Sequence, residues 1–156
     1  MPLSQTTLPL LLARISGTQV GFSASAVRKI VRAAAIAPLA GAPAIIEGAI
    51  NLHGRIVPVV DIRHRLALLA VELSPDQFFI ALQTSDRLIA VRVDDVEDMI
   101  EVPASSLESP ASLSPVLQRL EGVAAMDNGA LVIYDVDAFL TQAEREALDA
   151  AGVVTG

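Results

Sequence analysis

The chain has 156 residues, a formal net charge of −7 and no cysteine. Apolar residues make up 53% of the sequence and aromatic residues only 3%, which favours one compact domain, or two small ones sharing a core, built from aliphatic side chains. The negative charge argues against nucleic acid as the main partner. The absence of cysteine excludes disulfides, thiolate catalysis and cysteine-ligated metal sites.

The sequence contains no candidate membrane-spanning helix. The longest uncharged run, residues 33–46, is too short to cross a bilayer and is interrupted by Pro38 and Pro43. The apolar patch at residues 8–12 has no basic region before it, so it does not resemble a signal peptide. We therefore expect a cytoplasmic protein that does not insert into the membrane.

Apolar runs separated by turn residues predict a succession of short strands, with one helical turn at residues 23–27. His53 and Gly54 form a predicted tight turn. Pro58, in the strand after it, implies an edge position or a bulge because proline cannot donate to a strand ladder. Many short strands favour barrels or sandwiches. In chain order, the predicted strands are residues 7–15, 19–22, 30–36, 48–52, 55–60, 78–83, 87–93 and 130–134.

The C-terminal segment changes from strand-forming to helix-forming residues. Thr141 and Glu144 have the spacing of a capping box, in which each side chain bonds the backbone N–H of the other residue. We therefore predict a helix over residues 144–150.

The chain also contains an internal repeat. Residues 47–66 align with residues 121–140 without a gap, at a constant offset of 74 (121 against 47). The identical pairs are Glu47 with Glu121, Gly48 with Gly122, Asp61 with Asp135, and Leu66 with Leu140. The repeat predicts two related small barrels. We interpret Asp61 and Asp135 as structural caps, whose carboxylates accept backbone N–H groups at the start of a helical turn.

The sequence offers little support for a catalytic or metal-binding site. His53 and His64 are separated by a predicted strand, and no cluster supplies the three or four ligands that a metal site needs. The sequence contains no nucleophile elbow and no phosphate-binding glycine loop. We therefore predict no metal, no cofactor and no catalytic residue, although a small enzyme using His53 or His64 stays open as the least favoured alternative.

Two charged clusters have simple structural interpretations. Arg63, His64 and Arg65 are interpreted as the solvated face of a helical turn. The acidic residues at 94, 95, 97 and 98 lack the glycine and terminal glutamate of a calcium-binding loop, so they are interpreted as an acidic rim.

Several segments resemble CheW-like domains. "PAIIEGAINLHGRIVPVVDIRHRLAL" (43–68) is similar to the family signature, a strand ending in N-L-R-G followed by V-V-P-V-[IV]-D-L-R. Further similar segments are "GFSASAVRKIVRAAAIAPLAGAP" (21–43), "RLIAVRVDDVEDMIEVP" (87–103) and "LEGVAAMDNGALVIYDVDAFL" (120–140). The resemblance covers residues 7–140 as a single domain of two intertwined subdomains, with residues 141–156 as a C-terminal helix and tail.

The resemblance implies a mainly β fold of two SH3-like, five-stranded β-barrels with short helices and a C-terminal helix. It implies a non-catalytic adaptor that couples the cytoplasmic tip of chemoreceptors to a CheA-type histidine kinase, recruited to receptor arrays at the inner membrane. Two alternatives remain open: an interaction module of another pathway, such as twitching motility, and a competitor that caps the kinase.

The resemblance further implies an apolar groove near the junction of the barrels, where the helical tip of the receptor docks. Its candidate residues here are Val27, Lys29, Ile30, His53, Gly54, Ala90, Val96 and Met99. Ser112 and Leu113 are weaker candidates for the kinase interface. Two residues depart from the family pattern, since His53 replaces its arginine and Lys29 replaces its glutamate. We infer that the receptor partner differs from the usual one, or that docking relies more on apolar contact.

Overall fold

The computed structural model describes residues 7–65, 68–103, 107–108, 120–126 and 129–152. Within these ranges the chain is built mainly of strands, with short helical segments between them. The strands are β1 (Thr7–Ile15), β2 (Thr18–Ser23), β3 (Val27–Arg32), β4 (Ile46–Leu52), β5 (Arg55–Val60), β6 (Phe78–Gln83), β7 (Leu88–Val93), β8 (Asp95–Pro103), β9 (Leu107–Glu108), β10 (Leu120–Met126) and β11 (Gly129–Tyr134). The helices are α1 (Ile62–Arg65), α2 (Gln142–Ala150) and 3₁₀ turns at Ala24–Ala26 and Val136–Ala138.

The strands form two sheets that exchange strands. The first sheet has the order β8-β1-β2-β11-β10-β9, and the second has the order β3-β6-β7-β5-β4. β3 follows the β1–β2 hairpin in the chain but pairs with β6 of the second sheet. In the same way β8 follows the β6–β7 hairpin but pairs with β1 of the first sheet. The predicted fold class, mainly β with two β subdomains and a C-terminal helix, is confirmed.

The sequence repeat coincides with matching strands. β4 and β5 pair antiparallel, as do β10 and β11 at the same offset, and both ladders shift register next to the repeated glycine. Gly48 has φ +150°, and a Cβ placed there would lie 2.3 Å from the carbonyl oxygen of Ala37. Ala37 forms an isolated bridge with Ala49 of β4, so only glycine allows this close approach. The bridge brings the segment after β3 against the far edge of the second sheet.

The central core lies where the two sheets meet. It contains buried aliphatic residues from both sheets together with Phe22, Tyr134 and Phe139, whose ring centroids lie 5.9–6.3 Å apart. Three of the chain's five aromatic residues are therefore concentrated at the centre. Burial raises the pKa of Tyr134 to about 12, because the phenolate would lose its hydration there.

Several predicted boundaries and positions need correction. The extended segment after the first hairpin is Val27–Arg32 and not residues 30–36. The sequence patterns also do not predict β8 as a strand, although it includes part of the predicted acidic rim. Of the two positions that Pro58 implies, the edge is wrong, because β5 lies between β7 and β4, whereas the β4–β5 ladder does shift register between Ile46 and Gly48, next to the Ala49–Pro58 pair. Proline is tolerated at this point since the parallel ladder with β7 begins only at Val59.

Candidate protein-binding surface

The edge strand β3 presents charged and apolar side chains together. Lys29 and Ile30 are exposed, and Ile30 keeps 39% of its surface accessible. Val27, at the start of the strand, is half-buried and packs against the central core. β3 is therefore anchored through Val27, while the next residues are free to contact a partner.

The turn between β4 and β5 brings His53 to Lys29. His53 and Gly54 both have positive φ, 52° and 85°, and the carboxamide oxygen of Asn51 accepts the N–H of Gly54 at 2.8 Å. The Lys29 ammonium contacts Nε2 of His53. The turn therefore places the imidazole ring of His53 directly against the Lys29 side chain of β3. The two residues that depart from the family pattern are thus direct neighbours.

β8 carries the second pair of candidates. Val96 is half-buried and packs against the same central core as Val27, whereas Met99 keeps 60% of its surface exposed. Ala90 is wrong as a surface candidate. It lies in the interior strand β7, is 0% exposed and pairs with Ala81 and Val59, so no partner can reach its side chain.

The basic cluster is not a solvated face. Only His64 is exposed, while Arg63 is 2% exposed and ion-pairs with Asp94. The Nε of Arg63 also donates to the hydroxyl of Ser16 at 3.2 Å. Arg65 is half-buried and ion-pairs with Glu144 of α2. The two arginines therefore hold elements together, and sequence patterning missed this because each partner carboxylate lies far along the chain.

The acidic rim is likewise partly internal. Burial alone would raise the pKa of Asp94, but hydrogen bonds from the backbone of Ser16 and the side chains of Arg63 and Gln77 outweigh it and lower that pKa below its ordinary value. Hydrogen bonds from Gln19 and Arg14 lower the pKa of Glu97 in the same way. Both carboxylates are thus held in the charged form by named partners, while Asp95 and Asp98 are exposed.

Asp61 and Asp135 occupy equivalent capping positions. A carboxylate oxygen of Asp61 accepts the N–H of His64 at 3.1 Å, and one of Asp135 accepts the N–H of Asp137 at 3.0 Å. Each contact lies at the start of the helical turn that follows a return strand. In the part of the chain that the structure describes, no group of three or more histidine and carboxylate side chains is arranged to hold a metal ion.

Ser112 and Leu113 lie outside the described residues. Two exposed apolar side chains that sequence reasoning did not single out are Ile56, next to the His53 turn, and Leu69, in the segment between α1 and β6. No helix among the described residues is long and apolar enough to cross a membrane.

Comparison with known proteins gives a consistent result. The profile of the CheW-like domain matches residues 9–144. The chain is 28% identical over 140 residues to "Chemotaxis protein CheW" of Rhizobium meliloti (strain 1021) and 26% identical over 140 residues to the protein of the same name in Bacillus subtilis (strain 168). Each alignment covers 88% of this chain and 90% of the relative.

The fold is also similar to a solved structure. The crystal structure of the scaffolding protein TtCheW from Thermoanaerobacter tengcongensis superposes with a TM-score of 0.79 at 23% identity, covering 89% of this chain and 96% of that one. At this identity the likeness concerns the fold.

Proposed function

The chain belongs to the CheW-like domain family, and we propose that it couples chemoreceptors to a CheA-type histidine kinase. Membership makes it a non-catalytic adaptor of chemotaxis signalling. The finer proposal names its two partners, the helical tip of a receptor and the kinase. It also places the protein in the cytoplasm, where it is recruited to receptor arrays at the inner membrane.

The observation that supports receptor docking most strongly is the exposure of Ile30 and Met99. Both are large apolar side chains on edge strands. Near the start of each strand a half-buried valine, Val27 in β3 and Val96 in β8, packs against the central core. A helical tip offers apolar side chains at i, i+3 and i+4 to such a surface. The Lys29–His53 pair lies beside Ile30 and adds polar selectivity.

The double variant Lys29→Glu with His53→Arg tests this surface, because it introduces the acid–base pair expected of the family. We expect the affinity for the chain's own receptor fragment to change by at least about tenfold, measured by isothermal titration calorimetry. His64→Arg is the matched control, since His64 is exposed and lies on another element. Unchanged affinity of the double variant would remove this face as the docking surface.

Kinase activity in reconstituted receptor arrays tests the coupling role separately. An adaptor that couples the two partners places the kinase under receptor control, whereas a capping competitor abolishes kinase activity. Loss of activity on adding the protein would replace the coupling proposal with the capping alternative.

A further inference from the structure

The two halves of the chain correspond at two different offsets. Residues 47–66 match residues 121–140 at the offset of 74 that the internal repeat shows. The hairpin β1–β2 and the strand after it match the hairpin β6–β7 and the strand after it at an offset of 69 (96 against 27). The matching ladders, β8 with β1 and β3 with β6, shift register at the same place. Side chains in one half therefore have identifiable counterparts in the other.

An open cavity of about 470 Å³ lies between the two 3₁₀ turns and the end of β6. This volume falls within the roughly 300–1,000 Å³ that is usual for small-ligand sites. The polar part of its lining consists of two hydroxyls, one carboxamide and two carboxylates. These groups belong to Ser23, Ser25, Gln83, Asp135 and Asp137.

Arginine side chains occupy the equivalent place in the other half. The corresponding pairs are Gln83 with Arg14, Ser23 with Arg92, Asp137 with Arg63, Ser25 with Asp94, and Asp135 with Asp61. Each of the three arginines forms an ion pair, and Arg63 and Arg92 are buried. Around the cavity three shorter side chains replace them. The space that arginines occupy in one half is therefore open in the other.

The cavity carries negative charge without a cation of its own. The ion pairs among the described residues involve neither Asp135 nor Asp137. One oxygen of Asp135 accepts the N–H of Asp137 at 3.0 Å, and one oxygen of Asp137 accepts the N–H of Ser85 at 2.6 Å. The second oxygen of each carboxylate has no hydrogen-bond donor in the part of the chain that the structure describes.

Two basic side chains beside the cavity are held by other groups. Arg28 donates to the carbonyl oxygen of Ser25 at 2.6 Å. Arg145 donates to the carboxylate of Asp86 and to the backbone carbonyl oxygen of Asp137. Neither guanidinium therefore neutralises the two carboxylates that line the cavity.

We propose that this cavity binds a guanidinium group, the same group that occupies the equivalent place in the other half. A guanidinium is always charged, and its planar fork of N–H donors matches carboxylate oxygens. Its source is an arginine of a bound protein or free arginine. The site does not rest on the proposed coupling role, because arginine alone is its probe.

Titration with N-acetyl-arginine amide, followed by NMR of the backbone amides, tests the site on the full chain. We expect saturable shifts at Ser25, Gln83 and Asp137. The citrulline derivative has the same shape but no charge, so we expect it to cause none. Absence of saturable shifts with the arginine derivative, or equal shifts with both compounds, would overturn the proposal.

The double variant Asp135→Asn with Asp137→Asn removes both charges and keeps both backbone acceptors. We expect it to weaken binding of the arginine derivative by at least about fivefold. Asp61→Asn is the matched control, because Asp61 is the equivalent cap in the half that holds its own arginines, and it should bind like the wild type. Circular dichroism checks that each variant is folded. Equal affinity of the double variant and the wild type would contradict the assignment of the site.

The double variant Ser25→Asp with Asp137→Arg places the Arg63–Asp94 pair in the cavity. In the other half Asp94 accepts the N–H of Ser16 at 2.8 Å, so the new carboxylate offers the counterpart Ser85 an equivalent acceptor. We expect the arginine derivative to lose its binding, because the chain then supplies the guanidinium itself. Binding that survives this exchange would also overturn the proposal.

The source of the guanidinium is identified with the Asp135→Asn, Asp137→Asn variant. Weaker binding of a receptor fragment, or of the kinase, assigns the arginine to that protein. Unchanged affinity for both assigns the site to free arginine. If the wild type binds no receptor fragment, the coupling proposal fails while the arginine titration still decides the site.

Discussion

At the residue scale, buried arginines connect segments that are distant in the sequence. Arg63 of α1 reaches Asp94, at the crossing from β7 to β8, and Gln77 donates to the same carboxylate at 3.2 Å. The guanidinium of Arg92 in β7 donates to the carboxamide oxygen of Gln77 at 3.1 Å and to the carboxylate of Glu47 at 2.8 Å. One polar network therefore joins α1, the segment that crosses from β7 to β8, and strands β4 and β7. Arg63 and Arg92, the two arginines of this network, have little access to water.

Replacing Asp94 with asparagine tests this network. Arg63 would keep a buried charge without an ionic partner, so we expect a loss of about 2 kcal/mol in the free energy of unfolding. This figure is below the usual range for a buried pair because the side chain of Asp94 is 35% exposed. Urea denaturation at neutral pH measures it, with Asp98→Asn as the control at an exposed carboxylate.

The effect should depend on pH with a definite sign. The folded-state pKa of Asp94 is lowered, so its contribution is complete above the unfolded-state pKa of about 4 and is lost as the pH falls through the folded-state value. The stability difference between wild type and Asp94→Asn should therefore shrink below about pH 4. A difference that stays constant into acid would show that the carboxylate's charge is not what matters.

At the element scale, α2 packs the C-terminal segment against elements next to the second sheet, through ion pairs with Arg65 and Arg87. The predicted capping box is present, with Thr141 accepting the N–H of Glu144 at 3.1 Å and Glu144 accepting the N–H of Thr141 at 2.8 Å. The helix begins at Gln142, earlier than the predicted residue 144. Its contacts with Arg65 and with Arg87, which reaches Asp149 at 2.8 Å, could not be deduced from the helix's own sequence.

Leu148 is the apolar anchor of α2, fully buried in the central core. Leu148→Ala removes buried methyl groups and leaves a cavity, so we expect a loss of about 3 kcal/mol in the free energy of unfolding. Leu69→Ala is the matched control, because Leu69 is 88% exposed and should change stability by less than about 0.5 kcal/mol. Thermal denaturation of both variants compares them, and equal losses would mean that α2 does not contribute to the core.

At the scale of the whole molecule, strand exchange makes the two sheets interdependent. The first sheet needs β8, which is reached only through the β6–β7 hairpin, and the second needs β3, which follows the β1–β2 hairpin. The central core also takes residues from both sheets. Neither sheet is formed by one continuous part of the chain.

We therefore expect one cooperative unfolding transition. Amide hydrogens of β2 in the first sheet and β7 in the second should exchange with the same free energy of opening, since both are interior strands. Native-state hydrogen exchange measures this directly. Two separate free energies, one for each sheet, would show that the sheets unfold as independent subdomains.

The sequence by itself determined the local features of this protein. Most of its strands, the tight turn at His53 and Gly54, the capping box of α2 and the aspartates of the repeat follow from short-range patterns, because backbone dihedrals and caps depend on neighbouring residues. The exceptions are β8, which the patterns did not indicate, and β3, whose bounds they misplaced. The internal repeat and the family resemblance both predicted two β subdomains. The burial of Ala90 and of Arg63 was decided by tertiary structure. Ala90 is covered because β7 lies between β6 and β5, and Arg63 is covered because α1 lies against Ser16 and Asp94.

Only the tertiary structure decided how the two halves share strands and where charges finally lie. The matched positions of β3 and β8 are too dissimilar in sequence to align by identity, because Arg28 and Glu97, for example, have opposite charges. Their equivalence becomes visible when both strands pair with corresponding hairpins. Pairing between distant strands is set by the summed packing of the core and not by any local pattern, which is why only the fold shows that β3 and β8 are edge strands.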